Sequence, residues 1–447
     1  MIRSRSFPVV VTAGVLFFGL AGPAGAFHSG GVAECEGCHT MHNSLEGAPM
    51  TPAFPQYQAG PYLLKGSDQG SVCLNCHQHA GDTGPSSYHV STAPGDMPDG
   101  SPPLQLSPGG DFGWLKKTYT WTARTGAAPE TSAGERHGHN IVAVDYGYGP
   151  DTTHTGAPGG GAPGIAAYPV PVLSCTSCHD PHGKYRLNAN NGVFSTGGKP
   201  IRASGSYGAV PDATTAVGAY RLLAGAGYQP KSLPGSNAFV FAPPIAVAPD
   251  TYNRAETDNG SGQVIVAYGK SLSLWCANCH AQMHTTFGTV VHPADQALSS
   301  TASLGGGVGV ATAYNAYRKS GDLGGSQATA YWSLVPFQHD NFVDLNQLKG
   351  FVGSTNGPTS GVDRVMCLSC HRAHASGFDS MTRFGVGNEF ITVADATGSP
   401  LWPDPAANPA QAQGRTRAET QQAYYGRPAT VFAPYQRDLC NKCHAKD

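Results

Sequence analysis

All twelve cysteines of this 447-residue chain sit in six C-x-x-C pairs, and each pair is followed at once by histidine. The six are Cys35-Glu-Gly-Cys38-His39, Cys73-Leu-Asn-Cys76-His77, Cys175-Thr-Ser-Cys178-His179, Cys276-Ala-Asn-Cys279-His280, Cys367-Leu-Ser-Cys370-His371 and Cys440-Asn-Lys-Cys443-His444. Their first cysteines lie 38, 102, 101, 91 and 73 residues apart. Zinc ribbons need two C-x-x-C pairs about 15–20 residues apart, so that spacing fits none. Redox-active C-x-x-C disulfides have no need of a following histidine. With 18 His in the chain, six out of six by chance has a probability on the order of 10⁻⁹. C-x-x-C-H is the attachment pattern of a c-type haem. Two thiols one helical turn apart reach the two vinyl groups of one porphyrin, and the adjacent imidazole meets the iron from one face. The expectation is six covalent haem c groups.

Composition agrees with a chain organised by cofactors. The 59 Gly and 35 Pro make up about a fifth of it, against a usual ~12%, and both residues disfavour long helices and continuous sheets. The fold class expected is a multihaem cytochrome c, mostly coil and loop with short helices and a few short strands wrapped around a stacked haem chain. Rigid macrocycles would supply the apolar faces that a small core lacks. Short β-like runs are expected at Ile141–Val144 and Gln263–Tyr268, the latter as a hairpin partner. Helix-like stretches are expected at Ala311–Lys319, Gln327–Leu334 and Glu419–Tyr425. Ala157 to Gly164 reads as loop, and no repeat is legible beyond the motifs themselves. Lys and Arg number 27 against 29 Asp and Glu. With no basic excess to release counterions, a nucleic-acid partner is excluded.

Residues 1–26 read as a secretory signal peptide. Arg3 and Arg5 open it, Pro8 to Leu20 is apolar, and Ala24-Gly25-Ala26 offers small residues at a cleavage site. Its apolar stretch is too short to span a hydrocarbon core, which needs about 20 residues. No later run is long enough, so no membrane span is expected after cleavage. The product is expected to be secreted, passing through the periplasm to the extracellular space or cell surface, with 27–447 forming a single hexahaem unit. Outside the cytosol unpaired thiols oxidise, which fits cysteines already committed to a cofactor.

The sixth iron ligand must come from elsewhere. Met is the alternative to His, but Met41, Met283 and Met366 beside the motifs read as gap-filling side chains. Three histidines lie three residues past a motif histidine: His42 in CHTMH, His182 in CHDPH and His374 in CHRAH. On a short helix the i+3 position shares a face with i. Such a residue cannot reach the far side of its own iron, but it can reach a haem stacked beside it. His139 and His292 lie in loop-like contexts that could deliver an imidazole from outside. His28, His89 and His284 compete for the last place. His79 faces the wrong way, and His137, His154 and His339 read as surface residues.

Two imidazoles on every iron leave no position for a reactant. That argues for electron transfer and against catalysis, and all six motifs carry His where multihaem reductases often place Lys at the reactive haem. A discrete periplasmic or surface multihaem carrier remains an alternative. So does a multihaem oxidoreductase acting on a small nitrogen or sulfur compound.

Longer strings carry a resemblance. They are FHSGGVAECEGCHTMHNSL at Phe27–Leu45, CLNCHQHAGDTGPSSYH at Cys73–His89, GGDFGWLKKTYTW at Gly109–Trp121, CHDPHGKYR at Cys178–Arg186, CLSCHRAHASGFDSMTRF at Cys367–Phe384 and CNKCHAKD from Cys440. Over most of the chain the sequence resembles the OmcS-type outer-surface hexahaem cytochromes of metal-reducing bacteria, with more divergent loops between 186 and 360. The resemblance implies a homopolymer, an extracellular filament with bis-His haems in an unbroken stack. It implies that His42 leaves its own subunit to ligate the haem on His371 of the next protomer. It also implies other c-type cytochromes as electron donors and extracellular metal oxides such as Fe(III) oxides as acceptors.

Overall fold

The computed structural model describes residues 35–42, 63–82, 88–161, 166–188, 194–203, 205, 210–229, 238–248, 266–284, 294–298, 309–316, 335–339, 345–351 and 357–444. The leader, His28, His292 and the expected helix at 327–334 lie outside them.

Regular structure is short throughout. The longest helix among the described residues is Gln69–His77, nine residues, started by the Asp68 carboxylate accepting from the Ser71 amide at 2.9 Å. Arg417–Ala423 starts on a capping box in which Thr416 and Glu419 satisfy each other's backbone amides. It overlaps the helix-like stretch read at 419–425, and Val310–Ala316 covers most of that read at 311–319. A four-stranded sheet runs Ala246–Val247, Ala267–Tyr268, Gln338–His339, Asp363–Arg364, with one parallel pairing at its centre. Ala267–Tyr268 falls within the β-like run read at 263–268 and pairs antiparallel with Ala246–Val247. The run at 141–144 is not a strand. Ala143 makes one bridge to Tyr148, and Val144–Tyr146 turns through a single 3-10 turn closed by Gly147.

Burial is scattered in several small clusters. The largest gathers Trp114, Tyr119, Phe378, Phe384, Trp402, Tyr424 and Phe432 around the segment that follows the fifth motif. Arg415 is buried there against the Tyr119 face, 4.4 Å from its centre, and donates to the Gly377 carbonyl at 2.7 Å.

Two of the histidines read as surface residues are not. His137 is fully buried. Its Nδ1 lies 3.0 Å from the Trp114 carbonyl, and its Nε2 lies 2.7 Å from the Ser132 hydroxyl. Burial, helped by the Arg415 charge, holds its pKa at about 4, so the ring is neutral. Its flanking Arg and Gly suggested exposure, but Gly138 is small in order to let another segment close over it. His339 is mostly covered as well, stacked on Phe351 and bonded to the buried Asp363 carboxylate at 2.7 Å. His154 is exposed, as expected.

Asp111 organises the loop that reaches toward the motifs. Its fully buried carboxylate accepts from the amides of Thr92 (2.9 Å), Gln105 (3.0 Å) and Gly113 (2.7 Å), and from the Thr92 hydroxyl. Asp111→Ala would strand three buried N–H groups at about 1–3 kcal/mol each. A loss of about 3 kcal/mol or more is expected in denaturant unfolding of the holoprotein followed by circular dichroism, whereas a loss under 1 kcal/mol would contradict this account of the loop.

Candidate haem-ligand sites

Each motif lies on or against a short helix: Cys35–Cys38, Gln69–His77, the 3-10 turn Cys175–Ser177, Leu272–Cys276, Cys367–Cys370 and Asn441–His444. This brings both thiols of a motif to one side. Motifs also adjoin one another, with the thiols of Cys73 and Cys175, and of Cys276 and Cys367, in hydrogen-bonding contact. The second motif therefore sits against the third, and the fourth against the fifth.

An imidazole ligates iron through the nitrogen that carries no proton, and the proton on the other nitrogen needs an acceptor. Backbone carbonyls supply it. The Nδ1 atoms of His77, His179, His280 and His371 donate to the carbonyls of Tyr88 (2.8 Å), Arg221 (2.7 Å), Pro158 (2.8 Å) and Ser380 (2.9 Å). Nε2 is thereby left as the ligating atom in all four.

With about 2 Å from a metal to each ring nitrogen and about 1 Å more to each ring centre, two axial imidazoles have centres about 6 Å apart. Three motif histidines face a second imidazole at that spacing. His39 faces His182 at 6.4 Å with the ring planes 13° apart; His280 faces His139 at 6.0 Å and 35°; His179 faces His374 at 6.4 Å and 59°. Burial, the largest cause in each case, and the facing imidazole hold His139 at a pKa of about 4 and His374 at about 3; burial also lowers His280. Facing imidazoles at this spacing are the donor set that bis-His haem requires, so the residues present fit the group.

His139 and His374 are placed by one strip of backbone. Residues 373–376 lie between two glycine-containing segments. His374 donates its amide to the Gly109 carbonyl (2.7 Å), and Ala375 bridges both Gly110 and Gly138. The His139 amide donates to the His374 carbonyl (2.9 Å), and its Nδ1 lies 2.7 Å from the Ala373 carbonyl. Phe112 stacks on the His374 ring at 4.7 Å.

The remaining candidates divide. His42 is exposed, beside Met41 at 86% exposure. His89 is buried, engages Asp82, and follows Tyr88, whose carbonyl takes the Nδ1 proton of His77. His79 and His89 stack at 6.0 Å, but neither follows a cysteine pair. His284 turns its Nε2 toward Asp295 at 3.7 Å. His28 and His292 lie outside the described residues, and of His444 only the backbone is described. Of the neighbouring methionines, Met41 and Met283 are exposed and Met366 is buried.

Sequence reasoning missed a repeat. The first, third and fifth motifs, the ones followed by His at i+3, share one cradle. In each, the motif histidine bridges the residue after a left-handed turn: His39 with Leu64, His179 with Leu223, His371 with Thr382. The turn carries positive φ at Leu63 (56°), at Arg221 and Leu222 (53° each), and at Ser380 (55°) and Met381 (48°). The amides of Thr40, Asp180 and Arg372 donate to the carbonyls of Leu63, Leu222 and Met381 at 2.7, 2.7 and 2.8 Å. Those of Lys65, Ala224 and Arg383 donate to the carbonyls of Cys38, Cys178 and Cys370 at 2.9, 2.9 and 2.8 Å. The one sequence trace is Leu-Leu-x-Gly at 63–66 and 222–225, which the fifth motif lacks.

No protein-family model matches the chain. It is 56% identical over 430 residues to the C-type cytochrome OmcS of Geobacter sulfurreducens, covering 94% of each chain. It is also similar to two solved structures of filaments from that organism. One, of OmcS nanowires by cryo-electron microscopy, shares 56% identity with a TM-score of 0.84; the other, the outer membrane cytochrome S filament, shares 55% with a TM-score of 0.83. Each comparison covers 94% of this chain and all of the other.

Gly110 offers a test of the strip that carries His374. Its φ is +96°, and a Cβ there would lie 1.7 Å from the Ala375 carbonyl oxygen, so no side chain fits without moving the strip. Gly110→Ala is expected to pull His374 away from His179, leaving one of six haems high-spin and able to bind carbon monoxide. A visible spectrum that stays wholly low-spin under carbon monoxide would show that the strip does not position this ring.

Proposed function

Because the chain belongs to the OmcS family of c-type cytochromes, we propose that it carries electrons outside the cell as the subunit of a cytochrome filament. When bound, six covalent haem c groups supply one-electron couples along the protomer. The cysteines of the six motifs would hold them, with His39, His77, His179, His280, His371 and His444 as proximal ligands. His182, His374 and His139 would cap the irons of His39, His179 and His280, and the facing pairs at 6.0–6.4 Å are the observation that carries this reading.

The protein's own part is to fix ligands and keep them saturated. Carbonyl acceptors lock the tautomer, burial lowers the pKa of His139, His280 and His374, and two imidazoles on each iron would leave no exchangeable position. This favours electron transfer over conversion of a small nitrogen or sulfur compound. His28, His89, His284 and His292 are the candidates to complete the second and sixth sites.

The shared cradle supports the joint between protomers. The i+3 histidine of the fifth motif serves the third, and that of the third serves the first. By the same step, exposed His42 of the first motif serves a fifth motif, that of His371 in another copy. Head-to-tail contacts of this kind propagate without closing. Cleavage of residues 1–26 and passage through the periplasm would put the protein at the cell surface, and no helix among the described residues is long and apolar enough to cross a membrane. Donors would be other c-type cytochromes, and acceptors extracellular oxidants such as Fe(III) oxides.

His42→Ala is the discriminating variant. It should secrete a protein with all six haems attached, by mass, that forms no fibres in electron micrographs and carries a high-spin fifth haem. Fibres indistinguishable from the parent would reject His42 as the joint, and fibreless parent protein would return the discrete carrier.

A further inference from the structure

The three cradles are alike in their backbone bonds but differ in the charge that each builds in beside the ring. The residue immediately after the motif histidine is Thr40 in the first, Asp180 in the third and Arg372 in the fifth. The residue whose amide bonds the second cysteine is Lys65, Ala224 and Arg383 in turn. The equivalent positions thus read neutral and cationic, anionic and neutral, then cationic twice.

These charges are buried where it matters. Asp180 is 4% exposed, and its carboxylate accepts the amides of His182 and Lys184, both at 3.0 Å. No Lys or Arg side chain pairs with it among the described residues. Arg372 is 4% exposed, lying 3.4 Å from the centre of the Tyr425 ring and donating to the Pro108 carbonyl; Arg383 is 2% exposed and donates to the Leu368 carbonyl. Asp379, the acid of the fifth cradle, is partly exposed and paired with Arg136 at 2.6 Å. The third site has a second buried carboxylate nearby, Asp111, next in chain to the Phe112 that stacks on His374.

We infer that Asp180 against Arg372 and Arg383 sets a potential step between the third and fifth haems, which share the same ligation. An arriving electron makes a haem one unit more negative. A buried anion opposes that and a buried cation favours it, with little screening by salt. The third haem is therefore the harder to reduce and the fifth the easier, with the first between them. The inference rests on the axial assignment proposed above, in which His374 of the fifth motif caps the third haem and makes the two sites neighbours.

The 59° between the His179 and His374 planes labels the third site. A strongly twisted bis-His ferric haem gives a low-spin paramagnetic resonance signal at lower field than the near-parallel pair at 13°. In a redox titration of the native holoprotein followed by that signal, the twisted species should stay ferric to a potential below the near-parallel one. The gap expected is at least tenfold in the one-electron equilibrium, ~59 mV. Asp180→Asn, which keeps an acceptor oxygen, should raise the twisted signal's midpoint by a comparable amount. Arg372→Gln should lower the uppermost optical midpoint while Arg372→Lys restores it. A twisted signal that titrates at or above the near-parallel one, or that ignores Asp180→Asn, overturns the inference. Absence of any twisted signal would instead remove the axial assignment beneath it.

Discussion

The proton on the far nitrogen of each imidazole governs this structure. A histidine can present Nε2 to a metal only if Nδ1–H has somewhere to donate, and here the acceptor is a backbone carbonyl at His77, His179, His280 and His371. A carbonyl engaged in a helix or a ladder is less available, so the acceptors come from turns and loops. The Gly- and Pro-rich composition follows from that demand. The chain is irregular because its loops must run past the rings at hydrogen-bonding distance.

The cost appears as left-handed backbone at residues other than glycine. Arg221, Leu222, Ser380 and Met381 all have positive φ, at about 1 kcal/mol or more each for residues carrying a Cβ. Such strain persists only where the surroundings fix it. The amide bonds on either side of each cradle do so: one from the residue after the histidine, one to the carbonyl of the second cysteine. The turn closes as a primed turn, with Leu223 donating to Tyr220 at 3.1 Å and Thr382 to Asp379 at 3.3 Å. Folding of each cradle is thus coupled to holding its histidine, and the largest apolar cluster packs directly behind the fifth.

The sequence was legible where chemistry demands fixed spacing and opaque where it does not. Two thiols and an imidazole must occupy five consecutive positions, so all six motifs stand out, as do the histidines three residues beyond three of them. The coil-rich fold class followed from composition and agrees with the likeness to the filament structures. The cradles were hidden because their bonds use backbone atoms, which any residue supplies. Their turns also lie at different distances from their motifs, just past Cys370 in the fifth but far from Cys38 in the first. His137 was misread for a related reason: it is buried by a segment 239 to 242 residues further along the chain, with Ser376 donating to its carbonyl and Asp379 beside its ring. Local polarity carried no trace of that contact.

On the proposed ligation, the repeat also limits where the assembly can stop. Each of the three cradles holds one imidazole for its own iron and exports another, three residues on, to a different cradle. The fifth exports to the third and the third to the first, so neither the first nor the third is complete without its neighbour. An export series of this kind has two loose ends. In that order His42 of the first cradle serves a site outside the series, and the His371 site of the fifth is served from outside it. Joining those ends within one chain would require the first and fifth cradles to meet. The strip 373–376 instead commits the fifth to the segments at 109–110 and 137–139, and residues 41–42 are exposed. The two ends match each other chemically, an imidazole exported by the first cradle and an iron site held by the fifth. A second copy satisfies both and leaves the same two ends open, so a bond internal to the protomer repeats as the bond that builds the filament.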